Sequence, residues 1–242
     1  MIFITGDTHG RFDRIEYFVN EFKTNKNDLL IILGDAGINY NLNNHDVWLK
    51  RWLNNINITF LCVRGNHEER PENIKTYKKE RVDNQLFRAT CFVEYEYPSL
   101  YFLDNGPITI KNNKTDLEGY VINGAYSVDK YYRLTFGAKW FADEQLTKTE
   151  KEAIYTNIPE KLDFILSHTC PEKYIPTEMF LKGLDQSSVD RSMEEFLDKI
   201  EDKVNYNKWY CGHWHCDKRI DNMQFLFNDI IEMKNEKEGY HD

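Results

Sequence analysis

Apolar residues in the first third of the chain form short unbroken runs that alternate with helically spaced stretches. The runs at 2–5, 29–33 and 58–63 predict strands, since short continuous apolar runs are typical of strands buried on both faces. The stretches at 11–22 and 45–56 place apolar residues three or four positions apart and predict helices. Strand and helix therefore alternate, which indicates a parallel sheet with right-handed crossovers.

The remainder of the chain carries similar patterns with less regular spacing. Further strands are predicted at 106–111, 117–125, 161–168, 208–213 and 223–228. Helices are predicted at 139–158, which Pro159 ends, and at 188–203. No repeat or low-complexity linker divides the chain, so we expect one α/β domain over 1–242, with 171–205 as a candidate helical lid insertion.

Composition describes a globular chain that can bury a full core. The 242 residues are 41% hydrophobic and 14% aromatic. No apolar run approaches the roughly 18–20 residues of a membrane-spanning helix, so no membrane partner is expected. The N-terminus lacks a basic head before a long apolar stretch, and no signal peptide is expected. Five cysteines at irregular spacings suit a reducing cytoplasm better than a disulfide framework, which predicts a cytoplasmic protein.

The charge of the chain bears on its partners. A formal net charge of −9 makes the chain a poor general binder of nucleic acid backbones. A local basic groove stays open as an alternative, although composition does not favour one. An anionic substrate could still be held through metal ions.

Side chains that can bind metal follow five of the predicted strands at the points where those strands end. They are Asp7, His9, Asp35, Asn66, His67, Glu68, His168, His213 and His215. Because the ligand crevice of a parallel sheet lies outside the carboxyl ends of its strands, these residues can converge there. Of the seven histidines only His45 and His241 fall outside this pattern, and we interpret both as surface residues.

The types of these side chains indicate divalent metal ions. Imidazole, carboxylate and amide oxygen together suit Mn, Fe or Zn better than Mg or Ca. A carboxylate can bridge two ions, because it offers two oxygens with several lone pairs. Such a bridge holds two dications roughly 3.5–4 Å apart, the separation found in two-metal hydrolases.

Five short motifs occur in order along the chain: GDTHG, GDAG, RGNHE, SHT and GHWH. Each is weak alone, but the ordered set spans residues 6–215, and in it the chain resembles the calcineurin-like metallophosphoesterases. The segment GAYSVDKYYRL at 124–134 resembles the small bacterial and phage members. The resemblance implies a four-layer αββα sandwich with two mixed sheets and a metal site at the C-terminal strand ends.

The resemblance also implies a role for each residue. One metal would be held by Asp7, His9, Asp35 and His215. The second would be held by Asp35, Asn66, His168 and His213, with Asp35 bridging the two. The implied reaction is in-line attack on phosphorus by a metal-bridging hydroxide, with His67 assisting the leaving group.

The resemblance leaves the substrate open between phosphate monoesters and diesters. The phosphoprotein phosphatase branch carries an Asp and an Arg shortly after the second motif, whereas this chain reads GDAGINY. The ending GHWH is closer to the diesterase, nuclease and bacterial branches. A Ser/Thr-type phosphatase and a nuclease therefore stay as alternatives, together with a scaffold that has lost the chemistry.

Three arginines are candidates for contact with a substrate phosphate. Arg64 and Arg11 are the candidate substrate-binding residues, with a structural salt bridge as the alternative for Arg64. Arg133 is a further candidate with no stronger support.

The stretch CGHWHC at 211–216 invites comparison with a zinc site. A tetrahedral zinc site usually takes its ligands from two separated segments, and six consecutive residues can hardly surround one ion. We therefore interpret the histidines as the last ligands of the larger centre and the cysteines as bystanders, with a structural zinc protein as the alternative. In a regular strand His213 and His215 would share one face, and Trp214 would lie on the other.

Overall fold

The structure is a computed structural model that describes residues 1–111, 115–180, 183 and 186–233. Its helices are α1 (Asp13–Phe22), α2 (Asn44–Asn55), α3 (Lys130–Phe136), α4 (Lys148–Asn157) and α5 (Ser192–Lys203). The first six strands are β1 (Ile2–Thr5), β2 (Leu29–Ile32), β3 (Thr59–Cys62), β4 (Lys78–Asp83), β5 (Phe87–Val93) and β6 (Leu100–Ile110). The others are β7 (Leu117–Ile122), β8 (Lys161–Ser167), β9 (Asn205–Cys211), β10 (Lys218–Ile220), β11 (Met223–Phe225) and β12 (Ile230–Glu232). None of the helices in these ranges is long and apolar enough to cross a membrane.

The described strands form one mixed sheet in the order β10-β11-β9-β8-β7-β6-β3-β2-β1-β12, with β5 paired to β6 and β4 to β5. Strands β1 to β3 are parallel to one another, as are β7 to β9. The long strand β6 joins these two parallel groups, because it pairs with β3 near its start and with β7 near its end. The α/β class is therefore confirmed, whereas the two sheets expected from the resemblance are joined here by hydrogen bonds.

Neighbouring residues of the central strands enter different apolar cores. In β2, Leu30 packs in a cluster with residues of α1 and α2. Leu29 packs in a second cluster that also holds Phe164 of β8. A third cluster buries β8 and β9 against α4 and α5. Because both faces of these strands are covered, their sequences are continuous apolar runs and not alternating ones.

The apolar pattern predicted the elements most accurately in the first third of the chain, where strands and helices alternate. All five elements predicted in the first third are present, each with ends within two residues of the prediction. The antiparallel strands β4 and β5, the helix α3 and the short strands β10 and β12 were not predicted. The elements β4, α3, β10 and β12 are short or largely exposed, so they carry few buried apolar positions to reveal their period. The strand β5 does carry buried apolar residues, and its omission was an error of the prediction.

The predicted helix at 139–158 was wrong in its first half, since α4 begins only at Lys148. Arg70 donates from Nε to the Asp143 carbonyl at 2.7 Å and from Nη2 to the Gln145 carbonyl at 2.6 Å. These carbonyls therefore accept bonds from a distant arginine. The helix then begins at a capping box in which the Thr147 hydroxyl and the Glu150 carboxylate each accept a backbone N–H of the other.

The segment at 171–205, expected as a lid insertion, is in part a core element. The apolar face of α5 is buried in the third cluster through Met193, Phe196, Leu197 and Ile200. Residues 181, 182, 184 and 185 lie outside the described part of the chain. A lid role for the portion before α5 stays a prediction, as does a single domain over 1–242.

We expect the capping box to contribute measurably to stability. Replacing Thr147 by alanine removes the side-chain acceptor for the Glu150 N–H, and the free energy of unfolding should fall by about 1 kcal/mol. Thr156→Ala is the matched control, because this hydroxyl bonds the Glu152 carbonyl within the same helix and caps nothing. Denaturant unfolding of both variants measures the difference, and an equal loss in the two would contradict the assignment.

Candidate metal centre

The polar residues that follow β1, β2, β3, β8 and β9 meet at one edge of the sheet. Three overlapping groups have their ligand atoms within 4.8 Å of one another: Asp7, His9 and His215; His9, Asp35 and His67; and Asp7, Asp35 and His168. Asp7 and Asp35 each belong to two of these groups. The structure thus brings together residues from both ends of the sequence, through strands that the parallel pairing aligns.

Both aspartates are buried, at 1% exposure for Asp7 and 2% for Asp35. One oxygen of each accepts a backbone N–H, from His213 to Asp7 at 2.9 Å and from His67 to Asp35 at 2.8 Å. Burial would raise the pKa of both carboxyls, but the charge of His168 and contacts with other histidines outweigh it, and both pKa values are lowered. Two ionised carboxylates therefore share a buried space, which requires compensating positive charge.

Glycines give these carboxylates the room they occupy. A Cβ at Gly65 would lie 1.9 Å from Asp35 Oδ1, and a Cβ at Gly212 would lie 2.3 Å from Asp7 Oδ1. At Gly34, which has φ +100°, a Cβ would lie 2.1 Å from the His168 ring. The glycines of three motifs are thus explained by the close approach of backbone to candidate ligands.

Backbone strain also concentrates at this centre. Of the seven non-glycine residues with positive φ in the described ranges, four are candidate ligands: His9, Asp35, His213 and His215. Left-handed backbone costs free energy for residues with a Cβ and persists only where the surroundings impose it. The loops are therefore built to aim side chains at the centre at some expense of local stability.

The strand β9 ends at Cys211, so the expectation that His213 and His215 lie in a regular strand was wrong. Their φ values are +66° and +49°, which belong to a tight turn. His215 Nε2 lies 3.2 Å from Asp7 Oδ2 and 2.9 Å from His9 Nε2. The His213 ring instead lies 4.9 Å from that of His168, so the two histidines reach different parts of the centre through the turn.

The cysteines of CGHWHC take no part in the centre. Cys211 and Cys216 are both buried, and Cys211 contacts the sulfur of Met223 at 3.8 Å. Within the described ranges, neither cysteine belongs to a group of side chains that could hold a metal. A structural zinc site at 211–216 is therefore not supported.

A chain of hydrogen bonds fixes the orientation of Asn66. The Ser127 hydroxyl donates to buried Glu144 at 2.5 Å and accepts the Asn66 amide N–H at 2.9 Å. Asn66 Oδ1 consequently faces His168 Nε2 at 2.9 Å, while His168 Nδ1 donates to the Leu33 carbonyl at 2.7 Å. A proton on His168 Nε2 can be donated to the Asn66 oxygen, and without that proton both atoms offer a lone pair to a cation.

This arrangement fits a divalent cation. Asp7 Oδ2 is buried without an aligned hydrogen-bond donor, and Asn66 Oδ1 lies 2.9 Å from His168 Nε2, where a cation can take the place of the His168 proton. Burial would lower the pKa of His168, but Asp35 and Asp7 raise it to about 9. Burial and the charge of His168 lower the pKa of His213 to about 3, which leaves its imidazole neutral and able to bind a metal. The donor set offers carboxylate, imidazole and amide oxygen ligands together.

His67 lies beside this cluster and is contacted by the helix α3 and the residue before it. Its Nδ1 lies 3.6 Å from Asp35 Oδ2 and 3.0 Å from Arg133 Nη2, and its Nε2 lies 3.4 Å from Asp129 Oδ1. Burial would raise the pKa of Asp129, but contacts with His67 and Arg133 outweigh it and lower the pKa. Both ring nitrogens of His67 thus have partners from outside the five motifs.

Sequence reasoning missed Ser127, Asp129 and Glu144 as residues of the site. Ser127 and Asp129 lie in the stretch GAYSVDKYYRL, which carried part of the family resemblance and in which only Arg133 had an expected role, and Glu144 follows it by ten residues. A polar segment between two apolar runs was the available signal. The sequence pattern did not indicate which strand end this polar segment would face.

The two arginines expected to bind substrate are placed differently. Arg64 is only 3% exposed, and its Nη1 donates to the carbonyls of Gly65 and Glu144 at 3.1 and 2.8 Å. This buried position ties loops together and offers no guanidinium face to a phosphate, so substrate binding by Arg64 is not supported. The Arg11 side chain is exposed, and substrate binding by it stays a prediction.

Comparison with known proteins gives one family and a distant structural neighbour. The profile of the calcineurin-like phosphoesterases matches residues 1–217. A search of curated proteins found no match. Among solved structures, the phosphopantetheinyl hydrolase from Mycobacterium tuberculosis aligns with TM-score 0.43 and 12% identity, over 93% of this chain and 87% of that one.

We expect the absence of a Cβ at Gly212 to be required for metal binding. In Gly212→Ala the new Cβ displaces Asp7 Oδ1, and the affinity for Mn²⁺ should fall by about tenfold or more, measured by calorimetry. Gly106→Ala is the control, because no atom lies within 4 Å of its Cβ and only its φ of +138° is strained. That control should lose stability and keep its Mn²⁺ affinity. Unchanged affinity in Gly212→Ala would refute the role of this clearance.

Proposed function

The chain belongs to the calcineurin-like phosphoesterase family, a family of metal-dependent phosphoester hydrolases, and on this premise we propose that it hydrolyses phosphate mono- or diesters at a centre of two divalent ions. The observation that carries the proposal is the convergence of two buried carboxylates with imidazoles from four separate loops. Alternative assignments as a Ser/Thr-type phosphatase or a nuclease concern the substrate and share this centre.

We assign the ligands in two sets. Asp7, His9, Asp35 and His215 form the first, and the contacts of His215 with Asp7 and His9 support it. Asp35, Asn66, His168 and His213 form the second, supported by the contacts of His168 with Asn66 and Asp35. Asp35 belongs to both sets and would be the carboxylate shared by the two ions.

Divalent ions at this centre would supply positive charge for the phosphoryl oxygens and lower the pKa of bound water toward neutrality. The protein contributes orientation. The Ser127 and Glu144 bonds hold the Asn66 oxygen toward the centre, and the Leu33 carbonyl holds His168 with Nε2 toward Asp35. The His67 ring lies next to Asp35, where it can give a proton to a departing oxygen during in-line displacement.

The ligand types support Mn, Fe or Zn, with Mn as the ion for assays in vitro. All five cysteines are free and buried, which agrees with a cytoplasmic protein. We also propose a four-layer arrangement in which the sheet folds on itself. The shared apolar cluster of Leu29 from β2 and Phe164 from β8 supports it.

Hydrolysis of nitrophenyl phosphate and of bis-nitrophenyl phosphate, assayed side by side with Mn²⁺, tests the proposal and separates a monoesterase from a diesterase. Asp35→Asn should abolish turnover of the preferred ester, because the shared ligand loses its charge. His67→Ala should lower turnover by about 10²–10⁴-fold, the usual contribution of a general acid.

The control for these variants is Asp221→Asn, a turn residue between β10 and β11 whose left-handed backbone asparagine accepts readily. It should retain full turnover. Equal rates in Asp35→Asn, His67→Ala and the wild-type protein would refute the mechanism. Absence of turnover in the wild-type protein, with Mn²⁺ bound, would favour a non-catalytic scaffold.

A further inference from the structure

Arg133 places its guanidinium at the edge of the metal centre. Nε donates to Asp129 Oδ2 at 2.7 Å, and Nη1 donates to the Lys139 carbonyl at 3.1 Å and toward the Tyr40 hydroxyl at 3.4 Å. Nη2 lies 3.0 Å from His67 Nδ1. The side chain is only 14% exposed, so its position is set by these contacts and not by solvent.

We propose that Arg133 binds the phosphoryl group of the substrate and that Asp129 positions its guanidinium for this purpose. The inference rests on the proposed function, since it concerns the group that occupies the same centre. It assigns a binding residue from outside the five motifs.

The cavity around Arg133 supports this role. A space of about 310 Å³ is lined by His9, His67 and Arg133, together with Tyr40 and Asn41. A second cavity, which His67 also lines, is bounded by Asp35, Asn66, His213 and His215. Among the described residues that line these two cavities, Arg133 supplies the one guanidinium or ammonium group. A phosphate ester entering beside His67 therefore meets this cation.

The contacts of Arg133 leave its cavity side available. Nε and Nη1 are committed to Asp129, Lys139 and Tyr40, which anchors the plane of the guanidinium. Nη2 contacts a ring nitrogen of His67, a weaker acceptor than a phosphoryl oxygen. A bound phosphate can therefore take over this N–H and use the second N–H of Nη2.

Asp129 contacts both Arg133 and His67. Its Oδ2 accepts the Nε–H of Arg133, and its Oδ1 lies 3.4 Å from His67 Nε2. One carboxylate thus fixes two side chains that face the same cavity. The helix α3, which carries Arg133, has no buried residue of its own, so these polar contacts and not core packing hold the arginine in place.

Binding of inorganic phosphate to the Mn²⁺-loaded protein, measured by calorimetry, tests the proposal without requiring turnover. Arg133→Gln should weaken binding by about tenfold or more, the loss expected for a charge-assisted hydrogen bond. The phosphate affinity of Arg133→Lys should lie between those of the wild-type protein and Arg133→Gln, because an ammonium keeps the charge but cannot bind as a planar fork. Arg51→Gln is the matched control, since it breaks an exposed ion pair with Glu96 and should bind like the wild-type protein.

Two further variants test the positioning role of Asp129. Asp129→Asn should weaken phosphate binding several-fold and raise KM more than it lowers kcat, whereas Asp129→Glu, which keeps the carboxylate, should recover part of the affinity. Equal losses in the two variants would indicate a merely structural role. Mn²⁺ content, measured in every variant, should match the wild-type protein.

Unchanged phosphate affinity in Arg133→Gln would overturn the proposal, as would a loss fully accounted for by lower Mn²⁺ content. The proposed function fails separately. If the wild-type protein hydrolyses neither model ester and yet binds phosphate through Arg133, the inference stands and the catalytic assignment does not.

Discussion

The burial of two carboxylates side by side is the constraint on which the rest of the centre depends. Asp7 and Asp35 lie at the ends of adjacent parallel strands and are almost fully removed from water. Isolated ions in such surroundings would cost several kcal/mol each. The histidines that converge on them supply part of the compensating charge as protons, and divalent ions would supply it more effectively because the acceptors already face inward.

Much of the local chain serves to bring those carboxylates close to backbone. Gly65 and Gly212 leave room for the aspartate oxygens, and left-handed turns at candidate ligands aim imidazoles that a regular strand would send elsewhere. These features favour function over local stability, and the surrounding cores offset the strain. The parallel strands are covered on both faces, which makes the sheet rigid enough to hold loops in unfavourable conformations.

The residues that orient the side chains of the centre come from the stretch between β7 and α4. Ser127 and Glu144 orient Asn66, while Asp129 and Arg133 contact His67. In the sequence this stretch resembles the small bacterial and phage members and holds Arg133 as a candidate phosphate contact, but the residues that it contacts could not be identified. Short polar segments have no period, and their partners are strand ends that lie far away along the chain. Arg64 illustrates the converse, since a plausible phosphate clamp proved to be a buried link between loops.

The sequence by itself determined the α/β class, the order of the first five elements and the identity of the residues that follow each strand. These follow from local rules, because apolar periodicity and the position of a strand end are written in consecutive residues. Only the tertiary structure decided that β6 joins two parallel groups into one sheet, that His213 and His215 lie in a turn, and that Arg133 rather than Arg64 faces the centre. Those outcomes depend on hydrogen bonds and steric clearances between residues as far apart as Asp7 and His213, which no local pattern encodes.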